Sequence, residues 1–315
     1  MIERTAPARY AGADAPQPEP RRTAALSAVC PICGSATEAA GERPGRLDAR
    51  VYALRHCPAC RFSFVADPRT DFGEIYSEAY YRGEGADPLV DYAYEGDHPR
   101  ETIRHYEWRG IARVVGALAP PSPSQRWLDF GCGMGGLVEH CRRGLGVDAV
   151  GHEDGWAAGR ARERGVPMLD AAGLDAQEGT FDVVTAIEVI EHIPDPVAAL
   201  DRIRRMLRPG GLLFLTTGNA RPHRGRLDRW AYVIPEIHVS FFEPQTMATA
   251  LERAGFRPQQ PGYGPGFTDI IRFKLLKNLK VRRRSRVEAA MPWPLIARAV
   301  DRRYGISAHP VGWAR

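Results

Sequence analysis

The stretch WLDFGCGMGG, residues 127–136, constrains the fold more than any other, because an apolar strand runs directly into a turn of closely spaced glycines. Gly131, Gly133 and Gly136 satisfy the spacing G-x-G-x-x-G, which is typical of a strand-to-helix turn that lets a ligand approach the backbone. The spacing alone does not distinguish a dinucleotide site from any other tight turn of this kind. The neighbouring segments must therefore identify the ligand.

Short apolar strands alternate with helical stretches from Arg126 onward. We predict strands at RWLDF, DAVGHE, FDVVTAIE and GGLLFLTT, and helices between them at GGLVEHCRRG, GWAAGRARERG and DPVAALDRIRRML. Such alternation is typical of a parallel sheet covered by helices on both faces. The sequence therefore predicts an α/β fold with a Rossmann-like, doubly wound sheet, in which a ligand binds at the carboxyl ends of the strands.

Charge at the glycine turn favours one class of ligand. Asp129 lies two residues before Gly131, where a carboxylate would repel the pyrophosphate of a dinucleotide unless it is protonated or directed away. S-adenosylmethionine has no phosphate and carries a sulfonium and an ammonium, so it fits this charge better. Glu153 ends the second strand, where an acid can accept hydrogen bonds from the ribose hydroxyls of either cofactor.

Four of the six cysteines form two C-x-x-C pairs, Cys30 with Cys33 and Cys57 with Cys60. Two such pairs at this separation are typical of a structural zinc site, because each pair turns two thiolates toward one tetrahedral ion. Disulfides and a redox pair are the alternatives, and an expected cytoplasmic location and the lack of a thioredoxin-like βαβ pattern weigh against both. We expect a closed zinc site in a module that folds with its metal and contains a strand at RFSFVADP.

Four blocks in order resemble the class I S-adenosylmethionine-dependent methyltransferases: LDFGCGMG their first motif, GHE their second-strand acid, FDVVTAIEVIEHIPDP their fourth strand and loop, and LRPGGLLFLTT their fifth strand. The resemblance covers roughly residues 126–256. Many bacterial members also resemble this chain in placing two C-x-x-C pairs, a strand like RFSFVADP and a stretch like EAYY before the methyltransferase domain. The N-terminal module is thus similar to a zinc ribbon.

The resemblance implies S-adenosylmethionine as the cofactor and a set of residues that bind it. Those expected to line its methionine moiety are Asp129, Gly131, Gly133 and Gly135. Glu153 is expected to hold the ribose, Asp170 to lie near the adenine, and Glu188 to close the fourth strand beside the cofactor.

Methyl transfer from a sulfonium is an in-line displacement, in which the enzyme aligns the nucleophile and removes its proton. His192, after the fourth strand, and His238, after the fifth, are the candidate bases because imidazole titrates near neutrality. Alternatively, each histidine only orients or hydrogen-bonds within its own loop. Some sugar C-methyltransferases with a similar zinc-binding front end place a Glu-His pair in this second region, whereas here Ile237 separates Glu236 from His238.

The segment 220–238 concentrates arginines and aromatic residues between a strand and a helix, which suits an anionic, flat or sugar-containing substrate or a packed surface loop. The leading hypothesis is methyl transfer to a small-molecule acceptor, such as a sugar, a lipid-linked compound or a natural-product intermediate. An rRNA or tRNA methyltransferase that binds RNA through the zinc module and the basic residues 272–303 is the alternative. The other interpretation of that basic run, which we favour, is a solvated helix face. A third reading is a degenerate methyltransferase fold that acts as a scaffold.

The 315 residues carry a net charge of +5, and no run is apolar enough to span a bilayer, so we expect a cytoplasmic protein. The expected organisation, in chain order, is a disordered tail over 1–27, a zinc-ribbon-like module over 28–70, a helical lead-in and linker over 71–122, the methyltransferase domain over 123–275, and a basic C-terminal extension over 276–315.

Overall fold

The computed structural model describes residues 28–88 and 90–315, and the tail expected over residues 1–27 lies outside them. In this part of the chain the strands form two sheets, a four-stranded one in the order β1-β2-β3-β9 and a seven-stranded one in the order β10-β11-β8-β7-β4-β5-β6. The strands are β1 Glu38–Pro44, β2 Val51–His56, β3 Ser63–Val65, β4 Arg126–Phe130, β5 Asp148–His152, β6 Met168–Leu169, β7 Phe181–Ile187, β8 Leu207–Thr216, β9 Ser240–Phe241, β10 Phe256–Gln259 and β11 Val311–Ala314.

The seven-stranded sheet confirms the predicted α/β fold. Strands β4 to β8 run parallel, so their carboxyl ends share one edge, and the glycine turn lies at that edge. The four predicted strands correspond to β4, β5, β7 and β8, of which β8 begins at Leu207 rather than at Gly210. A ligand held by the glycine turn would therefore face the loops that follow β5, β7 and β8.

The sheet is mixed rather than wholly parallel, because β11 runs antiparallel to both of its neighbours, β8 and β10. This strand consists of the last residues of the stretch that the sequence analysis assigned to a separate extension over 276–315. Val311 and Ala314 are buried within the sheet. The four residues VGWA are too few to show a period, and they are held by pairing with strands far away in the sequence, so the local pattern did not predict them.

Helices cover both faces of the seven-stranded sheet. Adjacent residues of one strand enter different cores: Trp127 packs with Val115 and Phe267 on one face, and Leu128 packs with Leu200 and other residues on the opposite face. The helices in the described residues are α1 Phe72–Ile75, α2 Glu78–Tyr81, α3 Tyr92–Asp97, α4 Arg104–Leu118, α5 Gly136–Leu145, α6 Gly155–Glu163, α7 Ala171–Asp175, α8 Pro196–Met206, α9 Pro244–Arg253, α10 Pro265–Asn278, α11 Arg286–Ala289 and α12 Trp293–Tyr304.

The N-terminal module is joined to the rest of the molecule through its sheet and its core. Strand β3 lies within the predicted RFSFVADP segment and pairs with β2 on one side and with β9 on the other. Cys60 and Phe62 belong to the same buried cluster as Leu251 and Phe256, and the Thr246 hydroxyl donates to the Cys60 carbonyl at 2.7 Å. A change in the module is therefore expected to affect the stability of the larger sheet.

The lead-in segment between the module and β4 forms short helices that lie over the glycine turn. Tyr80 and Tyr81 of α2 pack in one buried cluster with Met134 of the turn and Ala157 of α6. The ring of Tyr81 stacks on Trp156, with the ring centroids 5.7 Å apart. The aromatic residues of this stretch thus cover the predicted ligand site.

The basic segment near the C terminus packs against the lead-in. The Arg272 guanidinium pairs with Glu288 and lies 3.7 Å from the centre of the Tyr106 ring. The Arg284 side chain donates to the Arg100 carbonyl at 2.9 Å, and the Arg283 side chain donates to the Tyr94 hydroxyl at 2.5 Å. These cations hold the C-terminal helices in place. Every helix in the described ranges is too short or too polar to cross a membrane.

Candidate active site

The glycine turn after β4 has a backbone that side chains would disrupt. Gly131 has φ +74°, and a Cβ there would lie 2.5 Å from Cγ2 of Val189. Gly135 has φ +76° and precedes α5, and a Cβ there would lie 2.5 Å from Cγ1 of Val166. The turn is also tied to the end of β5, because the N–H of Gly131 donates to the His152 carbonyl at 2.9 Å. The glycines therefore keep this backbone close to its neighbours.

Glu153 closes the turn from the end of β5. Its Oε2 accepts a hydrogen bond from the N–H of Gly133 at 2.8 Å, and its Oε1 accepts one from the N–H of Asp154 at 3.0 Å. Partial burial raises the pKa of this carboxyl, although the two N–H donors act in the opposite direction. The acid predicted at the second strand thus lies directly beside the predicted glycine turn.

Asp129 lies in the turn region, but its carboxylate points into the sheet. The hydroxyl of Thr185 on β7 donates to Asp129 Oδ1 at 2.7 Å, and the side chain is buried. Burial raises the pKa of Asp129 to about 7, and the charge of Glu153 adds to the increase. The sequence argument applied to a carboxylate that is neither protonated nor directed away from the turn. Because the pKa is raised to about 7 and the carboxylate is bonded to Thr185, the repulsion of a phosphate near neutral pH is weaker than for a fully charged carboxylate.

A cavity of about 130 Å³ lies between the glycine turn and the lead-in. Its floor includes Asp129, Gly131 and Gly133. Its roof comes from α2, α3 and α4. The residues that line it are Tyr81, Tyr92, Glu95, Gly96, Arg104, Glu107, Trp108, Ile111, Asp129, Gly131, Cys132, Gly133, Met134, Gly136, Leu137 and Ile187. The cavity is smaller than the roughly 300–1,000 Å³ that is usual for a small-molecule site.

Asp170 follows β6 and Glu188 follows β7, and both lie at the edge of the sheet that carries the glycine turn. Asp170 comes after β6 and caps α7, because its Oδ1 accepts from the N–H of Gly173 at 2.7 Å. Glu188 follows β7 with φ +53°, and the Nζ of Lys274 lies 2.6 Å from its Oε1. Burial acts to raise the pKa of Glu188, but the adjacent ammonium outweighs it and holds the pKa well below its usual range.

A second carboxylate, Glu191, is buried three residues after Glu188. The hydroxyl of Tyr232 donates to Glu191 Oε1 at 2.6 Å and lies 3.3 Å from Oε2 of Glu188. Burial raises the pKa of Glu191 to about 8, and the charge of Glu188 adds to the increase. Two neighbouring carboxyls with pKa values shifted in opposite directions are typical of a site that handles protons.

His192 and His238 lie next to each other beyond this pair, with ring centroids 4.9 Å apart. The Nδ1 of His192 lies 2.8 Å from the Ile237 carbonyl, and the Nδ1 of His238 lies 2.6 Å from the Tyr232 carbonyl. A carbonyl can only accept, so Nδ1 of His238 carries the proton and its Nε2 has the lone pair in the neutral ring. Nδ1 of His192 also lies 2.8 Å from the hydroxyl of Tyr76, which can donate as well as accept, so the neutral His192 ring can hold its proton on either nitrogen. Burial lowers the pKa of both, that of His238 to about 3. Both imidazoles are therefore weaker bases than the near-neutral titration expected from the sequence implies.

The two histidines and Glu191 could also hold a metal ion, because each offers a ligand atom within 4.8 Å of the others. Glu236, the other acid near His238 in the sequence, lies apart from this group. Its Oε1 accepts from the N–H of Leu47 at 2.8 Å and so faces the N-terminal module. The structure therefore brings together the two predicted bases without the Glu-His pair considered from the sequence.

The sequence agrees with a known family over the same elements. The profile described as "Methyltransferase domain" matches residues 102–260, which is just over half of the chain and includes the glycine turn, Glu153 and both histidines. The chain belongs to the methyltransferase-domain family. Its membership supports S-adenosylmethionine as the cofactor for the turn and the acid beside it.

Relatives of this methyltransferase domain carry names of O-methyltransferases. A ubiquinone biosynthesis O-methyltransferase of Methylococcus capsulatus is 39% identical over 102 residues, covering 29% of this chain and 43% of the relative. A protein of the same name from Cereibacter sphaeroides is 33% identical over 163 residues, covering 45% of this chain and 64% of the relative. The chain spans about half the length of these curated relatives.

Solved structures of methyltransferases also align with this chain. The structure of phosphoethanolamine N-methyltransferase 2 from Haemonchus contortus with S-adenosyl-L-methionine aligns over 80% of this chain and 60% of that chain, at 16% identity and a TM-score of 0.45.

Outside the methyltransferase domain, the four paired cysteines meet in one cluster. The Sγ atoms of Cys30 and Cys60 are 3.5 Å apart, and those of Cys33 and Cys57 are 3.4 Å apart. All four Sγ atoms lie within 4.8 Å of one another. A tetrahedron with metal–sulfur bonds of about 2.3 Å has sulfur atoms about 3.8 Å apart, so the cluster could hold one zinc ion.

Sequence reasoning missed two side chains of the candidate site, Glu191 and Lys274, and it named Tyr232 only as one aromatic residue of the segment 220–238. The segment EVIEH did contain a signal for Glu191, since a second acid follows Glu188 by three residues in a short loop. Lys274 gave no local signal, because it lies on α10 and reaches Glu188 across 86 residues of sequence.

Proposed function

We propose that this chain transfers a methyl group from S-adenosylmethionine to a small-molecule acceptor. The observation that carries the proposal is the contact between Glu153 and the N–H of Gly133, which joins the ends of β4 and β5 into one binding edge. Family membership and the O-methyltransferase names of the relatives support the same activity. The acceptor classes we favour are a sugar, a lipid-linked compound or a natural-product intermediate.

In this proposal the predicted cofactor residues keep their roles. Asp129 and the glycines at 131, 133 and 135 line the methionine moiety, and Glu153 accepts from the ribose hydroxyls. Asp170, on the loop after β6, lies near the adenine, and Glu188 lies beside the cofactor at the end of β7. S-adenosylmethionine supplies an electrophilic methyl carbon on a cationic sulfur.

The cavity above the turn must widen to admit a nucleoside cofactor, because about 130 Å³ is too small. Its roof is formed by α2 to α4, so we expect these helices to move outward and then to close over the bound cofactor. Hydrogen exchange of residues 76–97 should slow when S-adenosylhomocysteine is added. Unchanged exchange of these residues at saturating S-adenosylhomocysteine would show that the lead-in helices do not close over the cofactor.

The acceptor's proton is proposed to pass to an imidazole. The neutral ring of His238 has its lone pair at Nε2, so it can accept the proton of an acceptor O–H or N–H while the oxygen or nitrogen of that group attacks the methyl carbon. His192 can do the same in the tautomer that leaves its Nε2 unprotonated. The carbon–sulfur bond breaks, and its electrons remain on the sulfur. Glu191 and Tyr232 lie beside His238 and hold the loop in place.

The four-cysteine cluster is proposed to hold a structural zinc ion. Four thiolates would complete a tetrahedral shell with no position for substrate, so the ion would stabilise the module rather than act on the acceptor. Because Cys60 and Leu251 belong to one buried core, loss of the zinc ion would also destabilise the larger sheet.

A turnover assay tests the proposed function. The full chain is incubated with S-adenosylmethionine and panels of sugar nucleotides, polyprenyl compounds and phenols, and mass spectrometry follows S-adenosylhomocysteine and the methylated product. We expect product from at least one small-molecule panel, with His238→Ala strongly reduced. Product formed only with rRNA or tRNA would overturn the proposed acceptor class.

A further inference from the structure

A second cavity, of about 330 Å³, lies between the loop after β8 and the end of α12. Six residues line it: Pro222, His223, Arg226, Arg229, Arg303 and Tyr304. Three of them carry guanidinium groups, and the lining has no carboxylate. Because β8 ends at the same edge as β4 and β7, this cavity opens on the side of the sheet that carries the cofactor turn.

The three guanidinium groups have no acidic partner among the described residues, since Arg226, Arg229 and Arg303 form none of the ion pairs found there. Arg224, in the same loop, differs, because its Nε donates to Oε1 of Glu243 at 2.5 Å. All three arginines are exposed, so water screens their mutual repulsion, but the lining still carries positive charge with no carboxylate to balance it. This charge favours a negatively charged group in the cavity.

The two walls of the cavity are fixed to each other. The side-chain amide of Asn219 donates to the carbonyls of Tyr304 at 2.9 Å and of Gly305 at 3.1 Å. Gly305 ends α12 in the left-handed region, with φ +61°. The backbone next to Arg303 is thus tied to the start of the loop that carries Arg226 and Arg229, so the two walls are already assembled without a bound ligand.

A row of stacked rings joins this cavity to the predicted bases. His223, in the cavity lining, stacks on Trp230 with centroids 4.4 Å apart, and Trp230 stacks on Tyr232 at 4.7 Å. Tyr232 stacks on His238 at 4.1 Å, and His238 lies next to His192. One end of the row therefore lies in the arginine-lined cavity, and the other end carries the groups proposed to take the acceptor's proton.

We infer that this cavity binds a phosphate or diphosphate ester of the methyl acceptor. The inference rests on the proposed function, because it assigns the anion to the molecule that is methylated. Guanidinium groups bind phosphate oxygens through paired hydrogen bonds, and three of them can share the several oxygens of a diphosphate. The anchored anion would fix one end of the acceptor while its reacting atom lies near His238.

Titration calorimetry with inorganic pyrophosphate as the probe tests this inference. The samples are the full chain with S-adenosylhomocysteine present, the variants Arg226→Ala and Arg303→Ala, and the control Arg302→Ala. Arg302 is exposed on the same turn of α12 and does not line the cavity. We expect saturable binding that weakens by about tenfold or more in each cavity variant, as for the loss of a charged hydrogen bond, and by less than about twofold in the control.

Two results would overturn the inference: no saturable binding to the unaltered chain, or an equal loss in Arg302→Ala, which would indicate unspecific attraction to positive charge. Binding of S-adenosylmethionine is measured in the same samples. If that cofactor binds and pyrophosphate does not, only the present inference fails. If the cofactor does not bind, the proposed function fails, and the assignment of the anion to an acceptor fails with it.

The source of the phosphate group is resolved by two further probes, uridine diphosphate and farnesyl diphosphate. Tighter binding of the nucleotide than of pyrophosphate would support a sugar-nucleotide acceptor. Tighter binding of the prenyl compound would support a lipid-linked one. In both cases the loss of affinity in Arg226→Ala and Arg303→Ala is expected to persist.

Discussion

Oε2 of Glu153 accepts a hydrogen bond from the backbone N–H of Gly133 at 2.8 Å, so an acid at the end of β5 directly holds the turn that follows β4. The second oxygen accepts from the N–H of Asp154 at 3.0 Å. One side chain thus orders the turn and presents a carboxylate at the position proposed for the ribose. Removing this side chain should therefore weaken cofactor binding twice, by loosening the turn and by removing the proposed acceptor for the ribose hydroxyls.

Glu153→Ala should weaken the binding of S-adenosylmethionine by about 10- to 100-fold, because a hydrogen bond to a charged group contributes about 1.5–3 kcal/mol. Glu153→Gln, which keeps one acceptor oxygen, should fall between this variant and the unaltered chain. Asp154→Ala is the control, since Asp154 is exposed and its side chain does not cap α6. Calorimetry measures all three. Equal affinity of Glu153→Ala and the control would remove Glu153 from the cofactor site.

Asp129 should make cofactor binding depend on pH. Burial raises its pKa to about 7, and a cationic cofactor favours the ionised carboxylate, so binding should lower the pKa and release a proton near neutrality. The affinity should therefore rise with pH from 6 to 8, by at most about tenfold per unit below pH 7, and then level off. Calorimetry in buffers of different ionisation enthalpy counts the released protons. Asp129→Asn should abolish this release, whereas an undiminished release in that variant would assign it to another group.

His238→Ala should reduce turnover by about 10²-fold, the lower end of the usual contribution of a general base, because its low pKa makes this imidazole a weak base, and should leave the affinity for S-adenosylmethionine unchanged. His140→Ala, on α5, is the control. Because the pKa of His238 is lowered to about 3, its neutral form persists as the pH falls. At saturating cofactor the rate should therefore show no loss from this imidazole between pH 8 and pH 5. A rate step near pH 6.5 that disappears in His238→Ala would contradict the buried, neutral state.

Cys30→Ser should remove the metal that we propose for the four-cysteine cluster. The zinc content should fall from about one ion per chain to near zero, because a tetrahedral site needs all four ligands. The melting temperature should also fall, since Cys30 shares a buried core with Phe62 and Leu251. Cys141→Ala is the control, because Cys141 is equally buried but lies in the other core. Elemental analysis is the readout, and a full complement of zinc in Cys30→Ser would refute the site.

Local sequence patterns were enough to predict the parallel strands β4, β5, β7 and β8 and the glycine turn after β4. The strand containing Trp127 and Leu128 faces two cores, so both residues are apolar, and the glycines that follow need positive φ values. These requirements act within about ten residues of one another, and the sequence therefore shows them directly. Glu153 could be placed in the same way, because it ends the predicted strand DAVGHE.

Long-range contacts explain what the sequence did not show. Strand β11 is held by pairing with β8 and β10, and Lys274 reaches Glu188 from α10. The orientation of Asp129 depends on Thr185 of the adjacent strand, which no spacing within the glycine turn encodes. A charge argument based on residue type alone therefore overestimated how negative the turn is near pH 7.

The most direct test is calorimetric titration of the full chain with S-adenosylmethionine and, separately, with NAD⁺. We predict saturable binding of one S-adenosylmethionine per chain and none of NAD⁺. Gly131→Val should abolish that binding, because its Cβ would lie 2.5 Å from Val189, whereas Gly146→Ala, at φ +69° with no atom within 4 Å, should retain it. Saturable binding of NAD⁺ without binding of S-adenosylmethionine would contradict the account.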